Sequence, residues 1–207
     1  MLGNLSQKIY LSIANGKIQR RDRDGNVTSY DMLEGILTGI RKSSHEIAGK
    51  LTAVISFELN DGDDNYVVGV IADSGVARSL VKSIYGIKDF SGKRIRIVTR
   101  LRVVNDKEYT NAFVYVDGEQ AKWAVEFPKA EQYTLASGEN VTSTKDRDDM
   151  FWKCVDEIIC RLSDGTKAAP QQPADPQEDP SEPAEDFQDE SFYGGGVNGM
   201  FGEDASY

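Results

Sequence analysis

Basic side chains are missing from the C-terminal forty residues: between Ala168 and Tyr207 there is no Lys or Arg, while ten positions are Asp or Glu. The whole chain has 24 basic and 34 acidic residues and a formal net charge of −10, so everything before Ala168 balances at 24 against 24. The tail alone carries the excess. Cysteine is nearly absent too. Cys154 and Cys160 are the only two, and six residues apart on an expected helix they point to different sides, where they do not readily bridge. A reduced, intracellular protein is the simplest account. His45 is the single histidine; it falls in an SSHE segment expected to link two strands, and with two separated cysteines it leaves too few ligands for zinc. No apolar run approaches eighteen residues, and MLGNLSQKIYLS at the N-terminus lacks the basic-then-apolar pattern of a signal peptide, so neither membrane spanning nor export is expected. Asp61, Asp63 and Asp64 lack the spaced acids and terminal Glu of a calcium loop. There is no phosphate-binding loop ending in Lys-Ser/Thr and no Ser in a G-x-S-x-G frame. These absences predict a protein that is not an enzyme and holds neither cofactor nor metal.

What is present falls into two parts. Residues 1–167 are rich in aromatic and β-branched side chains and long enough for one domain with a proper core. Residues 168–207 contain PQQPADPQEDPSEP, which offers almost nothing to bury against the entropy of ordering it, and are expected to be disordered in isolation. Asn15-Gly16 between short alternating runs predicts an N-terminal hairpin with a type I′ turn. Met32 to Lys42 is read as a curved strand, because Gly35 and Gly39 would weaken a helix by roughly 1 kcal/mol each. Strands follow at Lys50 to Leu59 and Tyr66 to Ile71, then a helix over Ser74 to Ile84 with apolar residues at three-and-four spacing. Two more strands, Arg94 to Val104 and Tyr109 to Val116, precede a further expected strand at Lys122 to Phe127. A helix from Asp146 to Leu162 closes the body.

The chemistry concentrates in KRIRIVTRLRV, residues 93–103, where alternation puts Arg94, Arg96, Arg100 and Arg102 on one face and Ile95, Ile97, Leu101 and Val103 on the other. The neighbouring strand places Tyr109, Asn111, Phe113 and Tyr115 opposite Ala112, Val114 and Val116. Adjacent strands would then set guanidinium groups beside rings, a pairing suited to single-stranded nucleic acid, since rings stack bases and cations meet phosphates without requiring a particular base. Lys107 adds charge, and Tyr66 and Trp123 are further ring candidates. The competing reading makes these rings core and the arginines a solvated face. The whole assignment depends on an unbroken strand, because one bulge between Arg96 and Arg102 turns half of the ladder inward.

Strand, strand, strand, helix, strand, strand is the order of the OB-fold, a partly open barrel that binds oligonucleotides. The expected class is therefore mainly β: an OB-fold-like five-stranded barrel with one intervening helix, an N-terminal hairpin, a C-terminal helix and a disordered acidic tail. With the Arg ladder, the aromatic face and the tail, the chain resembles phage and bacterial single-stranded DNA-binding proteins, over about Met32 to Phe127 plus the tail. The resemblance implies binding and protection of single-stranded DNA in replication, recombination or repair, in the cytoplasm of a bacterial or phage-infected cell. It also implies a tail that recruits replication or recombination proteins and competes for the DNA groove. The acid-aromatic clusters that would do so are Asp186, Phe187, Asp189, Glu190, Phe192 and Tyr193, and Phe201, Glu203, Asp204 and Tyr207. The ending departs from the bacterial pattern of acids, proline and a final Phe, and the N-terminal hairpin and C-terminal helix are additions, so a phage or mobile-element type is the nearer likeness. Self-association into a homo-oligomer is left open. The alternatives are an adaptor or scaffold displaying the tail and a phage virion-assembly component.

Overall fold

The structure, a computed structural model, describes residues 8–166. The chain divides into two units, Met1–Pro170 and Gln171–Tyr207, and the tail residues named above, with the 167/168 boundary, lie outside the described residues.

The described part is mainly β. Asn15 (φ 51°) and Gly16 (φ 72°) both take the left-handed conformation a type I′ turn needs, and they join β1 (Lys8–Ala14) to β2 (Lys17–Arg21) with Ala14 opposite Lys17. A turn closed by the Asp22 carboxylate, which accepts from the Asn26 backbone and side-chain amides, leads into β3 (Val27–Tyr30). Strand β4 (Met32–Ile47) spans two neighbours, pairing β7 (Arg94–Val104) through Met32–Ile36 and β5 (Lys50–Asn60) through Ile36–Ile47. The two glycines mark where it bends. A Cβ at Gly35 would lie 2.9 Å from the Asn60 carbonyl oxygen, and the register shifts between Leu37 and Gly39. Strand β6 (Asn65–Ile71) then pairs antiparallel with β5 and parallel with β1. Helix α1 (Gly75–Tyr85), capped by the Ser74 hydroxyl accepting from the Ala77 amide, connects it to β7. Strands β8 (Lys107–Val116) and β9 (Glu119–Gln120) complete a mixed nine-stranded sheet in the order β3-β2-β1-β6-β5-β4-β7-β8-β9. A separate two-stranded pair, β10 (Glu131–Thr134) and β11 (Asn140–Ser143), precedes α2 (Lys145–Thr166).

The coarse expectation of a β protein with two helices is met, and the strand-strand-strand-helix-strand-strand order is present from β4 to β8. The sheet is not a closed five-stranded barrel: among the described residues no ladder joins its outer strands. Two local expectations need correction. Lys122–Phe127 is not a strand, because after the Ala121 amide donates to the Val114 carbonyl the chain leaves the sheet and crosses α1, where the Ala124 amide reaches the Lys82 carbonyl. His45 is not in a loop either; β4 continues through it, with His45 opposite Thr52, and the turn comes at Ala48-Gly49, both at positive φ.

The core lies between the sheet and the helices. Ile55, Phe57, Leu59, Val68, Ile95, Ile97 and Val114 from the sheet meet Leu80 and Ile84 of α1 and Val155 and Ile158 of α2, all essentially inaccessible, each contributing about 1.5–3 kcal/mol by removal from water. Cys154 is buried in this layer, which pushes its thiol up, while Cys160 is exposed. Thr99 is the exception among the buried positions of β7: its hydroxyl is buried and has no hydrogen-bond partner among the described residues. A buried polar atom left unpaired costs about 1–3 kcal/mol. Thr99→Val, of nearly equal volume, is therefore expected to raise the thermal midpoint, checked by calorimetry against the parent chain.

Candidate functional site

The β7·β8 ladder runs without a register break from Ile95 opposite Val116 to Val104 opposite Lys107. Alternation therefore holds along its full length. Ile95, Ile97 and Thr99 face inward and are buried, with Ala112 and Val114 beside them. On the outer face the cross-strand pairs are Arg96 with Tyr115, Val98 with Phe113, Arg100 with Asn111, and Arg102 with Tyr109. All four arginines are exposed, Tyr109 is exposed, and Phe113 and Tyr115 are half-buried on the same face. Neither ring set belongs to the core. Lys107 stands two residues beyond Tyr109, on that face at the hairpin end, next to the Asn105-Asp106 turn.

Strand β4 extends the face on the other side, setting Met32 opposite Val98, Glu34 opposite Arg96 and Ile36 opposite Arg94. Glu34 was not singled out by the sequence reading, although its alternation with Met32 and Ile36 carried the signal. Its carboxylate accepts from Arg96 Nε at 2.6 Å and from Arg94 Nε at 3.3 Å. These hydrogen bonds, above all the one from Arg96, hold the Glu34 carboxyl below its ordinary range. Arg94 also donates to the Asp61 carbonyl oxygen at 3.1 Å. The ladder is thus electrically uneven: Arg94 and Arg96 share an acid, whereas Arg100, Arg102 and Lys107 have no ion pair among the described residues. A cleft of about 410 Å³ at the paired end is lined by Glu34, Lys93, Arg94, Arg96, Tyr115 and Asp117.

Glu34→Gln tests this unevenness. It removes the negative charge and leaves the charge of both guanidinium groups uncompensated. Because the folded Glu34 carboxyl sits below its unfolded value, the carboxylate's stabilising contribution is present above the unfolded value and is lost as pH falls through the folded one. The expected result is a stability-against-pH curve that flattens in the acid limb in Glu34→Gln, measured by thermal melts across pH.

The two remaining ring candidates stand elsewhere. Tyr66 points toward the core side, opposite Leu59, and its hydroxyl donates to Asp61 Oδ2 at 3.0 Å. Burial and that carboxylate push its pKa up to about 12; it clamps the Asp61–Asp64 loop and is not on the ladder face. Trp123, in the irregular segment after β9, crosses over α1, with the Lys82 ammonium 4.7 Å from its ring centroid, on the helix that packs against the core side of β8.

Among the described residues no three His, Cys, Asp or Glu side chains gather where an ion could be held, and no helix is long and apolar enough to cross a membrane. Comparison with family models, curated proteins and solved structures finds no match to this chain.

Proposed function

We propose that the chain is a non-enzymatic protein that binds single-stranded DNA, without strong sequence preference, along the outer face of β7 and β8. The observation that supports the reading is the unbroken register that sets Arg100 and Arg102 beside Asn111 and Tyr109, with Phe113 and Tyr115 further along the same row. Each stacked base is worth about 1–3 kcal/mol, and each neutralised phosphate adds a salt-dependent contribution. Neither depends on base identity. In this reading β4 to β8 are an OB-like unit in which long, curved β4 serves both halves. The β1–β2–β3 meander, paired parallel to β6 and touching Leu101 and Thr110 through its Gly16 turn, takes up the side such a barrel leaves open.

The acidic tail joins the reading through charge alone. Ten acids without one compensating base compete with phosphates for the same cations, and the effect weakens with salt. Tail clusters such as Asp189, Glu190, Phe192 and Tyr193 would serve replication or recombination partners. Deletion of residues 168–207 is then expected to tighten DNA binding at low salt.

The deciding experiment is a fluorescence titration of the full chain with poly-dT at two salt concentrations. Stacking should quench Tyr emission, and four phosphate contacts would lower affinity about 50-fold between 50 and 200 mM salt, using a slope of about −0.7 per contact. No complex at low salt would sink the proposal.

A further inference from the structure

We infer that a second copy of this chain pairs antiparallel along the free edge of β8, so that two ladders form one continuous face; the functional meaning rests on the reading above, the geometry does not. Strand β9 covers only Tyr115 and Val116, and Ala121 covers Val114. From Lys107 to Phe113, β8 has β7 as its only strand partner among the described residues. The direction of the unused groups follows from the turns. Asn105 and Asp106, both at positive φ, close the hairpin on the pair Val104–Lys107, which directs the odd-numbered residues of β8 toward β7. The Val114 carbonyl, accepting from the Ala121 amide at 2.8 Å, independently places the even-numbered residues on the other side. The backbone N–H and C=O of Glu108, Thr110 and Ala112 therefore line the open edge.

This edge belongs to a ribbon that has no third strand, although the Gly16 turn touches its inner side at Leu101 and Thr110. Strand β4 pairs β7 only as far as Val98, and the Asp31 carbonyl accepts from the Thr99 amide. Beyond that point β7 and β8 continue as two strands, leaving Leu101 45% and Val103 60% exposed on one face and Tyr109 49% exposed on the other. A two-stranded ribbon is marginal by itself in water and gains most from a third strand. No proline or bulge interrupts the edge to prevent pairing.

The sequence is self-complementary about Thr110. In that register Thr110 faces Thr110 of the other copy, and Glu108 faces Ala112, so every edge-directed group finds a partner without disturbing Val114. On the outer face Tyr109 lies opposite Asn111, and Lys107 opposite Phe113, an ammonium beside a ring. No like charges oppose each other. A two-fold pair of this kind also closes, leaving no further edge to propagate, which favours a second copy over an extended strand of another protein. Each copy would contribute Asn111 and Phe113 next to the other's Tyr109 and Lys107, so the site is completed by the pair.

Sedimentation of the full chain from low to high micromolar concentration, without oligonucleotide, reads the association directly. The expected result is a reversible dimer. Glu108→Pro removes an edge-facing N–H while leaving the pairing to β7 intact, and should return the chain to monomer with little change in its thermal midpoint. In a Cys160→Ser background, Thr110→Cys should give a disulfide-linked dimer on oxidation, because self-paired Cα atoms in such a ladder lie about 5.5 Å apart. A monomer at every concentration, a dimer that survives Glu108→Pro, or Thr110→Cys chains that fail to cross-link would each overturn the inference. If Glu108→Pro does not fold, the cross-link decides. A dimer that fails to bind poly-dT would overturn the proposed function and leave the pairing standing.

Discussion

Replacing Arg100, Arg102 and Lys107 together by Ala is expected to weaken poly-dT binding about a hundredfold at low salt and to flatten the dependence of log affinity on log salt by about 2, from about 0.7 per lost phosphate contact. The size follows from their freedom. None of the three is engaged with an acid among the described residues, so each offers its full charge to a phosphate. Arg94→Ala with Arg96→Ala removes as many guanidinium groups as the pair Arg100 and Arg102, yet should cost less, about tenfold at low salt, because Glu34 already neutralises part of that charge. Tyr109→Ala should lose about 1–3 kcal/mol of stacking with an unchanged salt slope. The three responses separate phosphate contact from stacking. Equal losses from Arg94→Ala with Arg96→Ala and from Arg100→Ala with Arg102→Ala would show that Glu34 does not partition the ladder, and an unchanged slope in the triple variant would remove these cations from the interface.

The ladder was legible from sequence because strand alternation is strictly local. Once residues 94–104 are a strand, the side of each arginine follows, and the only open question is whether a bulge intervenes; none does. The helices were legible for the same reason, their apolar spacing needing no knowledge of the partner. What was not legible depends on which strands meet. Glu34 becomes significant only because β4 pairs with β7 in a register that sets it opposite Arg96, and that register is fixed by packing some sixty residues away in sequence. The places of Tyr66 and Trp123 off the ladder face were hidden on the same ground: the hydrogen bond to Asp61 and the crossing over α1 are tertiary facts. The parallel pairing of β1 with β6 could not be read either, since alternation does not reveal strand direction. Thus face is encoded locally, neighbour and direction globally, and a binding site made across three strands is only partly written in any one of them.

Gly16→Ala is expected to be among the most destabilising single substitutions outside the hydrophobic core, because Gly16, although in a hairpin turn, is buried against the β7–β8 ribbon. Its amide donates to Thr110 Oγ1 at 2.9 Å, and a Cβ would fall 2.6 Å from the Leu101 nitrogen, 2.7 Å from its Cβ and 2.9 Å from its Cα. At two of these contacts the obstacle is backbone, which cannot rotate away. The left-handed φ of 72° adds about 1–2 kcal/mol for a residue with a side chain, and forced displacement of a packed neighbour adds about 1–3 kcal/mol. A total of about 2–5 kcal/mol corresponds to a fall in the thermal midpoint of about 4–20 °C for a body of this size. Gly25→Ala separates the two causes, because Gly25 has a similar φ of 86° with nothing within 4 Å of the added methyl. Its cost is the backbone contribution alone. The difference between the two variants therefore measures how firmly the β1–β2 turn holds the β7–β8 ribbon from its inner side. It also bears on binding: displacement of Leu101 moves Arg100 and Arg102, its neighbours in the chain, so Gly16→Ala should weaken poly-dT binding and Gly25→Ala should not. Equal midpoints for the two variants would mean that the contact at Leu101 contributes nothing and that the ribbon is positioned by β4 alone.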